Sequence, residues 1–174
     1  MKPEKILMAY FSQRGETYVN GKIEIREKGN TEVVAERLAA LREMTLFHIA
    51  KVGDYPETYQ GMVEIAKAEY KEDARPAIVG EVAAMDQYDT VILGYPNWCH
   101  TMPKPVFTFL ESYDFSGKKI IPFCTNEGSK LGNSVEDIRQ LCPQAQVTAG
   151  VSIHGAEAAT VTDELQEILG HLAD

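Results

Sequence analysis

The chain alternates short apolar runs with segments whose apolar residues recur at helical spacing. Residues 6–11 are continuously apolar, as expected of a β-strand that is covered on both faces. Four further predicted strands follow at 46–50, 90–94, 119–125 and 147–153, and the apolar positions alternate in the last of them. Helical spacing occurs between and after these strands, at 33–41, 59–70, 105–110, 131–141 and 161–172.

This alternation predicts an α/β fold in which five parallel strands carry helices on both faces. The length of 174 residues suits a single domain with a sizeable core. Residues 73–88 fit the alternation less well and are predicted to form a connection with one short helical turn.

An insertion separates the first predicted strand from its helix at residues 13–28. Asn20-Gly21 is typical of a two-residue hairpin turn, with residues 18–19 and 23–25 as the arms. A hairpin here lets the chain leave the sheet at Ser12 and return close to it.

Three loops with polar or aromatic side chains follow the first, third and fourth predicted strands. Because the carboxyl ends of parallel strands share one edge of a sheet, we expect these loops to lie together where ligands bind. The first loop runs from Ser12 to Gly29-Asn30-Thr31, the second contains Asn97, Trp98, His100 and Thr101, and the third is residues 125–132.

The first loop is a candidate phosphate site. A helix that begins near Asn30 and Thr31 offers free backbone N–H groups, and Ser12 adds a hydroxyl. Two alternatives remain: residues 12–17 form the phosphate loop instead, or Asn30 and Thr31 are only helix caps. Arg14 either reaches the phosphate or is a solvated charge. The chain has neither a Gly-x-Gly-x-x-Gly nor a Gly-Lys-Ser/Thr motif.

The second loop contains Trp98, the only tryptophan of the chain. A large flat ring just past the end of a strand indicates a wall for a planar ligand, and the alternative is a ring folded back on the core. His100 is either a proton donor or a locally hydrogen-bonded side chain. Cys99 is interpreted as a small apolar residue because no base or partner cysteine is evident.

Charge and cysteine content exclude several classes of partner. The formal net charge of −9 argues against nucleic acid or an anionic membrane surface and is compatible with a basic protein partner. The three cysteines are widely spaced and odd in number, so we expect neither a metal site nor a disulfide framework. The first apolar run is too short for a signal or membrane segment, which predicts a cytoplasmic protein.

Three segments in this order resemble the flavodoxin family, in particular a bacterial flavodoxin-like branch. They are Tyr10-Phe11-Ser12 with Gly29-Asn30-Thr31, then Gly94-Tyr95-Pro96-Asn97-Trp98, then residues 122–129, Pro-Phe-Cys-Thr-Asn-Glu-Gly-Ser. The resemblance covers nearly the whole chain and implies the short-chain type of a three-layer flavodoxin-like sandwich, with strand order 2-1-3-4-5 and one bound FMN.

The resemblance also implies the roles of individual residues. Ser12, Asn30 and Thr31 would hold the FMN phosphate, with Arg14 within reach. The isoalloxazine ring would lie between two groups of residues, which are Pro96, Asn97, Trp98, Cys99 and His100 on one side and Thr125, Asn126, Glu127, Gly128 and Ser129 on the other.

Two functions are compatible with these residues. The first is an FMN-binding electron carrier that exchanges electrons with redox protein partners or a reductase. The alternative is an FMN-dependent NAD(P)H oxidoreductase acting on quinones or similar acceptors, in which the insertion and residues 97–103 form a substrate pocket or a homodimer contact. A receiver domain of the response-regulator kind is disfavoured, because Ser12 and Tyr95-Pro96 stand where its acidic residues are needed.

Overall fold

The fold is an α/β arrangement in the computed structural model, which describes residues 3–173. The strands are β1 Ile6–Tyr10, β2 Gly15–Val19, β3 Lys22–Arg26, β4 Thr45–His48, β5 Thr90–Pro96, β6 Lys119–Asn126, β7 Gln146–Val147 and β8 Val151–His154. The helices are α1 Asn30–Leu41, α2 Tyr59–Glu72, α3 Lys104–Glu111, α4 Ser134–Leu141 and α5 Asp163–Gly170.

The main sheet is parallel and has the order β4-β1-β5-β6, with β7 and β8 both beside β6. The predicted parallel sheet with helices on both faces is confirmed. The predicted order 2-1-3-4-5 needs one correction, because two short strands occupy the fifth position. The ladder is interrupted at residues 148–150, where a Cβ on Gly150 would come within 2.7 Å of Val135 Cγ2 and 3.0 Å of a Leu131 methyl group.

Two layers of buried side chains cover the faces of this sheet. Along β1, Leu7 and Ala9 belong to the core beneath α2, α3 and α4, whereas Met8 belongs to the core beneath α1 and α5. Leu7, Met8 and Ala9 are fully buried. The continuous apolar run of the first strand therefore reflects burial on both faces, as the sequence predicts.

Some boundaries differ from the predicted ones. Helix α4 begins at Ser134 rather than at residue 131, because Asn133 N donates a hydrogen bond to the His100 carbonyl and precedes the helix. The connection at 73–88 contains a single 3-10 turn, Met85–Gln87. None of the helices within residues 3–173 is both long and apolar enough to cross a membrane.

The insertion forms an antiparallel hairpin of β2 and β3 outside the main sheet. Asn20 and Gly21 have φ of 51° and 81°, the left-handed conformation that a tight two-residue hairpin turn requires. The hairpin rests on the start of α2, where Glu16 N donates to the Glu57 carbonyl at 2.8 Å. In return, Tyr59 N donates to the Glu16 carboxylate at 3.0 Å.

Candidate cofactor site

A cleft of about 1030 Å³ opens at the carboxyl edge of the sheet, where β1, β5, β6 and β8 end. The three loops selected from the sequence meet in its lining, as the shared sheet edge requires. The predicted residues in the lining are Ser12, Asn30, Thr31, Pro96, Asn97, Trp98, Cys99, Thr125, Asn126, Glu127 and Ser129.

Three predicted site residues lie outside this lining. Arg14 is paired with Glu57 at 3.1 Å and lines a separate cleft of about 590 Å³. His100 does not contribute to the lining, and its carbonyl accepts the Asn133 N–H group at 2.6 Å. Gly128 is turned into its own loop, because its N–H group donates to Asn126 Oδ1 at 2.9 Å.

The first loop brings Ser12 to the N-terminus of α1. Ser12 Oγ accepts the Glu32 N–H group at 3.1 Å, and its own proton remains available to a ligand. Gly29 is the N-cap residue, and a Cβ at this position would overlap Ser12 Oγ and the Gln13 carbonyl. The chain therefore returns from the hairpin directly beside the point where it left the sheet.

Free amides are present at the start of α1, whereas the second half of the competing loop at 12–17 is already engaged. The first N–H groups of a helix have no acceptor within the helix, so those of Asn30 and Thr31, two residues of the cleft lining, are available as donors. In the competing loop, Gly15 to Thr17 form part of β2, and the Glu16 N–H group is already donated to Glu57.

The side chains of Asn30 and Thr31 differ in whether they already have hydrogen-bond partners in the protein. Asn30 Oδ1 is buried and has no hydrogen-bond partner within residues 3–173, so it is an orphaned polar atom in the cleft. Thr31 Oγ1 lies 2.8 Å from Thr125 Oγ1, and this buried pair joins the first loop to the third. Because an unpaired buried acceptor is costly, a ligand hydroxyl is the natural partner of Asn30.

Trp98 both packs on the core and lines the cleft. Its ring meets Phe11 at 5.1 Å and Tyr55 at 5.0 Å between centroids, in T-shaped arrangements. Two hydrogen bonds between Trp98 and Thr101, of 2.9 and 3.1 Å, close a tight turn after it.

That turn is strained in its two central residues. Cys99 and His100 have φ of 54° and 67°, a region that costs a non-glycine residue about 1–2 kcal/mol. Backbone strain of this kind is concentrated at ligand-binding sites, where the surrounding structure holds it in place.

Behind Trp98, a buried ionic cluster holds Tyr55. The Tyr55 hydroxyl donates a short hydrogen bond to Glu69, whose other oxygen lies 2.8 Å from Lys51 Nζ. Burial, reinforced by the Glu69 carboxylate, raises the pKa of Tyr55 far above its usual range. Tyr55 is therefore a constant hydrogen-bond donor, and its ring is a fixed support for Trp98.

The third loop is organised by Asn126 and joined to the second. Asn126 Oδ1 accepts the amides of Gly128 and Lys130 at 2.9 and 3.1 Å. Asn97 N donates to the Thr125 carbonyl at 3.0 Å, and Asn97 Nδ2 donates to the Lys130 carbonyl at 2.9 Å. These hydrogen bonds hold the second loop against the third where both line the cleft.

The tip of the hairpin reaches across the cleft to the third loop. Asn20 N donates to Glu127 Oε2 at 3.2 Å, and His154 Nε2 lies 3.1 Å from the same oxygen. Because the base of the hairpin rests on α2, the hairpin spans the cleft from one side to the other.

The cysteines show no sign of activation. Burial raises the pKa of Cys99, although Lys67 and Lys104 oppose the rise. Burial raises the pKa of the Cys124 thiol to about 12 and that of Cys142 to about 11. Within residues 3–173, no three His, Cys, Asp or Glu side chains are grouped as a metal site would need.

The flavodoxin family model matches residues 5–169. The chain belongs to this family. Among solved structures it is similar to a candidate flavoprotein from Bacteroides eggerthii, at 28% identity and a TM-score of 0.76, over 98% of this chain and 97% of that one. No curated protein sequence matches this flavodoxin significantly.

Two more distant structures share the fold with this flavodoxin. One is a flavoprotein in complex with FMN from Lactobacillus acidophilus, at 19% identity, a TM-score of 0.65, and coverage of 89% and 96% of the two chains. The other is an NADH:FMN oxidoreductase, at 14% identity, a TM-score of 0.56, and coverage of 97% and 87%.

The cleft of this flavodoxin fits the chemical parts of FMN. The amides at the start of α1 and the Ser12 hydroxyl suit the phosphate, and the orphaned Asn30 Oδ1 suits a hydroxyl of the ribityl chain. Trp98 and the loop around Asn126 suit the planar ring and its polar edge.

The cleft also has lining residues that the sequence did not single out individually. They are Gln13, then Glu16, Thr17, Tyr18, Asn20 and Gly21 of the hairpin, Tyr59, Met62, Val63, Ala66 and Lys67 of α2, and His154 of β8. The hairpin was expected to form a substrate pocket only under the oxidoreductase alternative. The helical spacing of Tyr59, Met62, Val63 and Ala66 was visible, but it indicated only a buried face. Their position in the cleft depends on where the hairpin docks, which spacing along the chain does not reveal.

Proposed function

We propose that this flavodoxin is an FMN-binding electron-transfer protein that exchanges electrons with redox protein partners in the cytoplasm. The observation that carries the proposal is the orphaned Asn30 Oδ1 beside the free amides of α1, inside a cleft with an aromatic wall. FMN is the cofactor to which the family and its FMN-bound relative point. When bound, FMN supplies one- and two-electron chemistry.

The chain itself would bind, orient and electrostatically tune the cofactor. The start of α1 and Ser12 hold the phosphate, Trp98 forms a wall, and the hairpin limits the access of water. Glu16 and Glu127 line the same cleft, and the chain has a net charge of −9. Negative charge near the ring disfavours an added electron by Coulomb repulsion and so favours a low reduction potential.

A second candidate function is an FMN-dependent NAD(P)H oxidoreductase acting on quinones or similar acceptors. The observation that favours it is the apolar end of the cleft between Tyr18 and Ala66, which extends beyond the residues assigned to FMN. A carrier that serves only protein partners does not need this space.

One experiment separates the two candidates. The protein is loaded with FMN, and its visible spectrum is recorded without oxygen before and after NADPH is added. Flavin bands that shift on binding and persist with NADPH support the carrier. Rapid bleaching by NADPH alone supports the oxidoreductase, and the absence of shifted bands would contradict both.

A further inference from the structure

The cleft continues past its polar loops into an apolar end. Tyr18 of the hairpin lies on one side, and Tyr59, Met62, Val63 and Ala66 of α2 lie on the other. The whole cleft, about 1030 Å³, is at the upper limit of the roughly 300–1000 Å³ that one small-molecule site occupies. The residues assigned to FMN make up only part of this lining, so the apolar end is available to a second ligand.

An aromatic pair forms the surface of this end. The Tyr18 and Tyr59 rings lie 4.8 Å apart between centroids, with an angle of 71° between their planes. Their positions are fixed by the backbone, because Glu16 bonds the hairpin to both Glu57 and Tyr59. Such a pair offers both a face and an edge to a planar aromatic ligand.

A cation without a partner lies at the same end. Lys67, two helical turns beyond Tyr59, lines the cleft and has no hydrogen bond or ion pair within residues 3–173. The two carboxylates in the lining are engaged elsewhere, Glu16 with Tyr59 N and Glu127 with His154 and Asn20 N. In a chain with a net charge of −9, Lys67 is thus available to an anionic ligand group.

We propose that this end of the cleft binds a planar aromatic molecule with an anionic substituent, beside FMN. The ring packs on Tyr18 and Tyr59, and the anionic group pairs with Lys67. The proposal rests on the proposed function in that it requires bound FMN. It applies to both the electron carrier and the oxidoreductase. An aromatic acid and a nicotinamide nucleotide, with its ring and phosphate, both have this chemistry.

Calorimetric titration of the FMN-loaded protein tests the proposal with 2-naphthoate, uncharged 2-naphthol and nicotinamide mononucleotide. We expect Tyr18→Ala to weaken naphthoate binding by about three- to tenfold and Tyr18→Phe to retain it. Lys67→Ala should weaken naphthoate binding about threefold or more and leave naphthol binding unchanged. Lys71→Ala, on the same helix but outside the cleft lining, is the matched control and should change neither.

The visible flavin spectrum, recorded for each variant, separates the possible failures. If the parent chain takes up no FMN, both the proposed function and this proposal are overturned. Three results would overturn this proposal alone: FMN binds but neither naphthoate nor nicotinamide mononucleotide does, naphthoate displaces FMN, or the affinity for naphthoate is the same in Tyr18→Ala and Lys67→Ala as in the parent. Tighter binding of nicotinamide mononucleotide than of naphthoate supports the nucleotide as the source, and the reverse supports an aromatic acid.

Discussion

Tyr55 links the wall of the cleft to a buried carboxylate, and removing its hydroxyl should lower stability without affecting cofactor binding. The side chain is 5% exposed, and its hydroxyl donates to Glu69, which also binds Lys51. Its ring supports Trp98 at 5.0 Å. Tyr55→Phe deletes the hydroxyl and keeps the ring.

The expected loss of stability follows from the burial of Glu69, the acceptor of the Tyr55 hydrogen bond. Glu69 is only 8% exposed, so water replaces the missing donor poorly. A hydrogen bond to a charged group contributes about 1.5–3 kcal/mol, and we expect the free energy of unfolding to fall by about that amount. FMN affinity should stay within about twofold, because the contact of the ring with Trp98 remains.

Urea unfolding of the apoprotein measures the first effect, and calorimetric titration with FMN measures the second. Tyr18→Phe is the matched control, since that ring is 39% exposed, and its change should stay within about 0.5 kcal/mol. A loss for Tyr55→Phe no larger than that of the control would refute the role of the buried hydrogen bond. A matching loss of FMN affinity would refute the separation of the two effects.

Three further outcomes follow from the site and its surroundings. Trp98→Ala should weaken FMN binding by about 1–3 kcal/mol by calorimetry, the contribution of an aromatic stack, and unchanged affinity would assign stacking to another residue. Bound FMN should slow iodoacetamide labelling of Cys99, read by mass spectrometry; equal rates with and without FMN would place the cofactor elsewhere. Lys104, aided by Arg75, lowers the pKa of Asp73 from 3.8 to about 2, so the ionised Asp73 stabilises the fold above about pH 4 and this stabilisation is lost towards pH 2. Between pH 4 and pH 2, the urea midpoint of Asp73→Asn should therefore fall less than that of the parent. An equal fall in the two proteins would contradict the ion pair.

Local patterns were sufficient for the central strands and the loops that follow them. A strand buried on both faces must be apolar throughout, so β1 and β5 were recognisable, and the parallel topology then places Ser12, Trp98 and Thr125 at one edge. The break between β7 and β8 was not predictable in this way. It coincides with the close approach of Gly150 to Val135 of α4, a tertiary contact that leaves the alternation of apolar residues intact.

The side of the cleft formed by the hairpin and α2 could not be predicted from local sequence patterns, because it too depends on a tertiary contact. Asn20-Gly21 indicates a hairpin, but nothing in its sequence specifies that Glu16 will bond to the start of α2. That docking turns Tyr18 and Tyr59 towards each other and makes one face of α2 part of the cleft lining. The position of Arg14 outside the cleft lining has the same origin, because its partner Glu57 lies in the segment on which the hairpin docks.

The central claim is that the cleft holds FMN with its phosphate at the start of α1. The most direct test compares the affinity of the apoprotein for FMN and for riboflavin, which has the same ring and chain but lacks the phosphate. The Asn30 and Thr31 amides and the Ser12 hydroxyl can donate three charge-assisted hydrogen bonds to the phosphate. Even two of them should make FMN bind at least about 100-fold more tightly than riboflavin. Equal affinities, or binding of neither molecule, would contradict the account.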